Sequence, residues 1–276
     1  MNNDLIDEQT GFTMPSAKEF DIKKLFSLDE RTTLITGAAQ GIGRVAAIAC
    51  GKAGSKIAIT DKDINSAKLL EKELNEANIK AKAWELDVNY EKDIIKVFND
   101  VEKEFGTTDV LINNAGTAHR NPAELMETEE FNKIINLNLT SAFICCRTVA
   151  KGMLEKNKGS IINISSIMGV TGGGPAPNSP YHASKGALVN LTRSLANEWG
   201  DRGIRVNSIG PTYTKTRLVK ELSKDKAKLD HIIQRTPLKR LAEVSEMAGG
   251  ILFLASDASS IVTGHTLMLD GGWSAI

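Results

Sequence analysis

The chain has 276 residues, 41% of them hydrophobic and 25% charged, and its 34 lysines and arginines balance 34 aspartates and glutamates. This is the composition of a soluble globular protein, and it offers no basic surface for nucleic acid or for a membrane. No apolar run approaches the ~18 residues of a membrane span, and the acidic, polar start from Met1 to Glu8 does not read as a signal peptide.

Residues 1–25 form an N-terminal tail outside the pattern that follows, and residues 26–276 read as one domain. The pattern opens with Thr32-Thr-Leu-Ile-Thr36, a short β-branched run that predicts a strand. Gly37-Ala-Ala-Gln-Gly41-Ile-Gly43 follows at once, and then an alanine-rich, helix-like stretch from Arg44 to Gly54. Strand, glycine turn and helix start in that order make a phosphate-binding unit. The glycines let the backbone turn tightly and approach a pyrophosphate, and the free N–H groups at the helix start stabilise its charge. Gly37, Gly41 and Gly43 are the residues expected to do this, although their spacing differs from the usual Gly-x-Gly-x-x-Gly.

The second strand, Lys56 to Thr60, ends in Asp61. A carboxylate there accepts hydrogen bonds from the adenosine ribose and repels a 2′-phosphate, so it argues for NAD over NADP. Gln40 adds no positive charge to the glycine turn, whereas Lys62, beside Asp61, works against the preference.

Further strands are predicted at Ala81 to Leu86, Asp109 to Ile112, Ser160 to Ile164, Arg205 to Ile209 and His265 to Leu269. Helical periodicity fills Tyr90 to Phe105, Asn132 to Lys156, Tyr181 to Trp199 and Glu243 to Ala255. Strands separated by helices imply right-handed crossovers and a parallel sheet covered on both faces. Ligands then bind beyond the carboxyl ends of the strands. Polar residues gather there: Asp87, then Asn113 with Gly116, then Ser165 with Ser166, then Pro211, Tyr213 and Thr216. Cys50, Cys145 and Cys146 fall in apolar helical patterns and fit neither a disulfide framework nor a metal site, which predicts buried thiols in a reducing, cytoplasmic compartment and no bound metal.

Tyr181 and Lys185 lie four residues apart, on one face of a helix. An ammonium favours the phenolate, so the pair suits proton transfer near neutral pH. Taken alone, the same spacing describes any surface pair. His182, next to the tyrosine, points elsewhere on a regular helix and is read as structural.

Together the glycine turn, Asn113-Asn-Ala-Gly116, Ser165-Ser166 and Tyr181-x-x-x-Lys185 resemble the short-chain dehydrogenase/reductase family, from about Phe26 to Trp273. The resemblance implies a single Rossmann-type, doubly wound sheet of seven parallel strands. It also implies hydride transfer between a nicotinamide and a carbinol or carbonyl carbon, and a homodimer or homotetramer. Tyr181 would be the general acid–base. Lys185 would tune it and hold the nicotinamide ribose, and Ser166 would bind the substrate oxygen. Asn138, with Asn136 the competing assignment, would anchor a relay water. The cofactor would lie on Gly37, Gln40, Gly41, Ile42 and Gly43, with Asp61 on the ribose and Asp87 and Val88 beside the adenine. Asn114, Ala115 and Gly116 would line the adjoining region, and Pro211 and Thr216 the nicotinamide, near Tyr181 and Lys185.

Two departures stand out. Thr212 replaces a glycine that the family usually has after the sixth strand, which puts the local loop shape in doubt. The interval from Ser166 to Tyr181 is long, with its extra length in the turn-rich run Gly172 to Pro180, either a pocket wall or a neutral insertion. His119, Arg120 and Tyr213 are candidate substrate contacts, Arg120 either as a two-pronged partner for a carboxylate or as a solvated charge. Lys215 to Arg235, charged and helical, corresponds to a substrate lid. The chain is most similar to sugar-acid and polyol members such as gluconate dehydrogenases, through Leu25 to Leu28, Ala39 to Gly43 and His119 to Pro122. The expected activity is NAD-dependent oxidation or reduction of a polyol, sugar or sugar acid, with NADP the less favoured cofactor. Alternatives are a reductase of 3-oxoacyl thioesters and a non-catalytic dinucleotide-binding regulator.

Overall fold

Buried β-branched runs become the middle layer of three. The computed structural model describes residues 5–6 and 13–276. Its main sheet has seven strands: β3 (Thr32–Thr36), β4 (Lys56–Asp61), β5 (Ala81–Glu85), β6 (Val110–Asn113), β7 (Gly159–Ile164), β8 (Ile204–Pro211) and β9 (Thr266–Leu269). All neighbours are parallel, in the order β5-β4-β3-β6-β7-β8-β9. This is the seven-stranded, doubly wound sheet that the sequence predicts. Before it, β1 (Leu5–Ile6) and β2 (Thr13–Met14) pair antiparallel, and a short helix, α1 (Ile22–Phe26), is capped by the Asp21 carboxylate. The rest of the expected tail, residues 1–4 and 7–12, lies outside the described residues.

Side chains alternate between the two faces of each strand, and the two hydrophobic cores record that alternation. Ile35, Ile57, Ile59, Ile112 and Ile162 pack under α2 (Gly41–Lys52), α3 (Ile64–Glu76) and α10 (Met247–Ala255). Leu34, Ala58, Leu111, Ile161 and Val206 face α4 (Glu91–Phe105), α6 (Ser141–Lys156) and α7 (Ser179–Trp199). Burial on both faces is why these strands read as continuous apolar runs. Cys145 and Cys146 belong to the second core and Cys50 to the first. All three are unpaired, and burial pushes the Cys50 and Cys146 thiols up to about 12.

The helix expected from Asn132 to Lys156 begins earlier, as α5 (Thr128–Ile135), and passes through a π-helical turn at Asn136–Thr140 before α6. Such turns insert one residue into the helical register and re-aim a side chain, often at functional sites. Here the buried residue of the turn is Asn138. The segment expected to serve as a lid forms α8 (Arg217–Ser223) and α9 (Lys226–Arg235), which close a small third cluster with Ile167, Met168, Tyr213 and Trp273 at the carboxyl end of the sheet. Among the described residues no helix is long and apolar enough to cross a membrane.

Candidate active site

The strand order reverses between β3 and β6, and the crevice at that reversal is where a doubly wound sheet takes its ligand. The glycine turn runs along one side. Gly37 and Gly41 have φ values of +62° and +56°, which a side chain would strain. Gly43 lies in the first turn of α2, where a Cβ would lie 2.4 Å from the Gly37 carbonyl oxygen and 2.6 Å from Asn114 Nδ2. Gln40 precedes the helix without capping it, and no acid occupies the first turn, so its N–H groups are left for an anion. This cradle fits a dinucleotide pyrophosphate. Ile42 packs on the first core, and Thr216 closes over Gly41, its Cγ2 3.4 Å from where a Cβ would stand.

Asn114 holds the turn from behind. Its Nδ2 donates to the Thr36 and Gly37 carbonyls at 3.0 and 2.8 Å. Thr36 Oγ1 accepts from the Asn114 and Ala115 N–H groups, both at 3.1 Å. Asp87 folds the chain back by accepting from the Asn89 N–H and side-chain amide, and Val88 is buried in the second core.

Asp61 departs from the sequence expectation. Its carboxylate accepts from the Ala39 N–H and the Asp63 N–H, each at 3.0 Å, and the residue is only 8% exposed. The acid is therefore engaged in fastening the glycine turn to the end of β4, and Lys62 beside it is exposed.

The catalytic candidates converge on the other side. Ser166, Tyr181, Arg120, Thr212 and Tyr213 line one cavity beyond β6, β7 and β8. The two serines, just past the end of β7, diverge. Ser165 Oγ donates to the Lys185 carbonyl at 3.1 Å, while Ser166 lies in the cavity wall, where its Oγ accepts from the Met168 N–H at 3.1 Å. Lys185 is buried behind the tyrosine. Its Nζ donates to the Ile164 carbonyl at 2.7 Å and sits 5.7 Å from the Tyr181 ring centroid. Asn138 is held at both ends of its amide: Oδ1 accepts from Thr117 N–H at 2.9 Å, and Nδ2 donates to the Thr117 carbonyl and the Ser184 hydroxyl. Gly116 meets both groups, since a Cβ there would be 3.0 Å from Asn138 Oδ1 and 3.6 Å from Lys185 Nζ. Pro211 ends β8 against Leu269 of β9.

The electrostatics differ from the sequence expectation that Lys185 lowers the tyrosine. Burial pushes the Tyr181 phenol above its usual range, and the groups that oppose the rise are the Ser166 hydroxyl and the Arg120 guanidinium. Lys185 is itself depressed, to about 8, because burial disfavours its charge. Arg120 also reaches α8, where its Nη2 is 3.4 Å from the Leu218 carbonyl. His119 is not in the cavity wall. Tyr213 stacks edge-on against Trp273 with centroids 5.3 Å apart, and burial raises its phenol.

The cavity also contains residues that the sequence reading passed over. His182 is in its wall, not turned away, because the first turn of α7 lets its ring fold back until Nδ1 lies 2.8 Å from the Asn178 carbonyl. Asn178 itself lines the cavity, as do Pro175 and Ala176 from the long loop. The available signal was position: Asn178 and His182 are four apart at the helix end that opens onto the carboxyl edge of the sheet. Among the described residues no three His, Cys, Asp or Glu side chains are grouped as metal ligands.

Comparison with known proteins agrees with this geometry. The family model described as enoyl-(acyl carrier protein) reductase matches residues 37–274. The 5-keto-D-gluconate 5-reductase of Escherichia coli K12 is 39% identical over 248 residues, covering 90% of this chain and 97% of its own. The NADP-dependent mannitol dehydrogenase of Alternaria alternata is 37% identical, covering 95% and 98%. A gluconate 5-dehydrogenase from Burkholderia cenocepacia, solved in complex with NADP and tartrate, superposes with a TM-score of 0.89 at 33% identity over 93% of this chain and all of that one. A putative NAD(P)-dependent gluconate 5-dehydrogenase from Beutenbergia cavernae, with bound NADP, gives a TM-score of 0.87 at 35% identity over 91% of this chain and all of that one. The NAD preference inferred from Asp61 is corrected by these complexes, which hold NADP. The structural reason is that the Asp61 carboxylate is turned onto backbone N–H groups of its own chain.

Proposed function

Because the chain belongs to the short-chain dehydrogenase/reductase family, we propose that it is an NADP-dependent oxidoreductase that interconverts a secondary alcohol and a ketone on a sugar acid or polyol. The observation that carries this reading is the single cavity lined by Ser166, Tyr181 and Arg120, with Lys185 buried directly behind. The substrate class is supported by relatives whose names give 5-keto-D-gluconate and mannitol as substrates, matched over nearly their whole length.

Bound NADP would supply the nicotinamide carbon that takes or gives the hydride. The chain's own residues handle the proton and the oxygen. In the oxidative direction the substrate hydroxyl loses its proton to Tyr181 as the hydride leaves the same carbon, and reduction reverses both transfers. Ser166 donates a hydrogen bond to the substrate oxygen and stabilises the charge that gathers on it. Arg120 favours the phenolate form of Tyr181 and presents a guanidinium to the carboxylate of a sugar acid. Lys185, protonated below about pH 8, supplies the positive charge nearest the Tyr181 ring. Lys62 is the exposed cation beside the ribose site and is assigned to the 2′-phosphate. We also propose a cytoplasmic homodimer or homotetramer, which light scattering of the purified protein tests.

The direct test is a panel of D-gluconate, D-mannitol and, with NADPH, 5-keto-D-gluconate, run with each nicotinamide cofactor. Turnover with NADP(H) is expected, and Tyr181→Phe should lower kcat by about 10³-fold. Turnover on 3-oxoacyl thioesters alone would overturn the substrate class. Full activity in Tyr181→Phe would overturn the assignment of the acid–base.

A further inference from the structure

Three residues that line this cavity each hold a buried polar atom without a hydrogen-bond partner: Asn178 Oδ1, His182 Nε2 and Thr212 Oγ1. Among the described residues only two other buried side-chain atoms are in that condition, Asn113 Oδ1 and Trp273 Nε1. Folded proteins pair nearly all such atoms, because burying a polar group without a partner costs the free energy of its lost hydration. Three unpaired atoms on residues that line one cavity therefore point to a ligand that completes them.

The kind of ligand follows from the chemistry of each atom. The His182 Nδ1 contact is a carbonyl oxygen, which can only accept, so Nδ1 carries the proton. In the neutral ring Nε2 is then an acceptor, and that is the atom left unpaired. Asn178 Oδ1 is an acceptor by nature. Thr212 Oγ1 accepts or donates, and its backbone is fixed because its N–H donates to the Leu269 carbonyl at 3.2 Å and its carbonyl accepts from Thr214 Oγ1 at 3.0 Å. Two acceptors and a hydroxyl are complementary to donors. A carboxylate or an acyl chain brings no donor, whereas a chain of hydroxyl-bearing carbons brings one per carbon.

We propose that Asn178, His182 and Thr212 form a hydroxyl-reading subsite that binds the hydroxyls of the substrate carbons away from the one being oxidised. The proposal deepens the reading of this cavity as a site of alcohol–ketone chemistry and rests on it. It gives a purpose to two features that the family resemblance left open. The long loop from Gly172 delivers Asn178 to the start of α7. The threonine that stands at position 212 in place of a glycine contributes a hydroxyl to the cavity. The subsite selects by the penalty it imposes, since each hydroxyl missing from the substrate would leave one of the three atoms unpaired.

The test compares kcat/KM for the best polyhydroxy substrate of the panel with that for its monodeoxy analogues, each retaining the reacting carbon. The wild-type protein is expected to disfavour at least one analogue on the order of 10²-fold or more. Thr212→Val, which removes a hydroxyl and keeps the shape, should shrink that preference by at least about tenfold through KM, as should His182→Phe and Asn178→Ala. Thr212→Ser, which restores the hydroxyl, should restore the preference. A wild type that turns over every analogue as well as the parent overturns the subsite, whatever the variants do. So does a variant set that lowers parent and analogues by the same factor. Absence of turnover on every polyhydroxy substrate overturns the proposed function and the subsite together, while turnover without discrimination overturns the subsite alone.

Discussion

On the cofactor side of the cleft the polar side chains spend their hydrogen bonds on the protein itself; on the substrate side several keep one polar atom unpaired. Asn114, Thr36 and Asp61 each place hydrogen bonds on backbone groups of the glycine turn and its neighbours, and so leave a cradle made of main-chain N–H groups. Asn178, His182 and Thr212, which line the substrate cavity, each keep an atom unpaired. A backbone cradle recognises what all dinucleotides share, namely the pyrophosphate, and it tolerates few side-chain changes because its shape depends on missing Cβ atoms. A wall of unpaired side-chain atoms recognises what differs between substrates. It can be rewritten one residue at a time at the cost of holding polar groups dry.

Lys185 stands at the junction of the two sides, near Gly116 and behind Tyr181, and it offers the largest expected effect. Lys185→Met should lower kcat by about 10²-fold or more by removing the cation beside the acid–base. The same variant isolates the cost of burying that cation. The folded-state value is about 8 against an ordinary 10.5. Between those pH values the unfolded chain holds a proton that the folded one has lost, so stability rises with pH there. Urea unfolding of wild type relative to Lys185→Met should therefore show a gain of about 3 kcal/mol across pH 8 to 10.5 and a constant difference below pH 8. A flat difference across the whole range would mean that the ammonium is hydrated in solution and that burial does not depress it.

The next effect tests the claim that the cofactor side is built on absent side chains. Gly43→Ala forces a methyl to within 2.4 Å of the Gly37 carbonyl and 2.6 Å of Asn114 Nδ2, neither of which is a free flexible end. Overpacking of this kind costs about 1–3 kcal/mol. The loss should appear in thermal unfolding and, because the turn must open, as a rise in KM for NADP⁺. A variant with unchanged stability but raised KM would show that the turn yields easily and that only the approach of the pyrophosphate is blocked.

The same contrast explains what the sequence allowed one to read. The strands were legible because burial on both faces writes β-branched runs, as in Thr32–Thr36, whose predicted bounds match the observed strand. The glycine turn was legible because a strand, glycines and a helix in sequence leave few other folds for the chain. Asp61 misled because its position was right while its orientation was set by Ala39, 22 residues away, whose N–H takes one oxygen. His182 misled because helical geometry turns the neighbour of Tyr181 away only in mid-helix. In the first turn its ring can reach back to Asn178. Asn138 lies in a π-helical turn that no periodicity in Asn136-Leu-Asn-Leu signals. In each case the missing information was a long-range or end-of-helix contact, not a local preference.

The smallest predicted effect bears on the one place where the cofactor side needs a charge. With both Asp61 oxygens accepting backbone N–H groups, the carboxylate is less available to repel a 2′-phosphate, and Lys62 is exposed beside it. An exposed cation contributes modestly, so Lys62→Ala should lower the ratio of kcat/KM for NADP⁺ over NAD⁺ by about three- to tenfold. Lys62→Glu should lower it further by adding repulsion. Raising the salt concentration should shrink the difference between wild type and either variant, because an exposed charge is screened. A ratio that neither substitution moves would assign the 2′-phosphate to main-chain N–H groups of the glycine turn. The cofactor side would then read its ligand with backbone alone, and the contrast with the substrate wall would be complete.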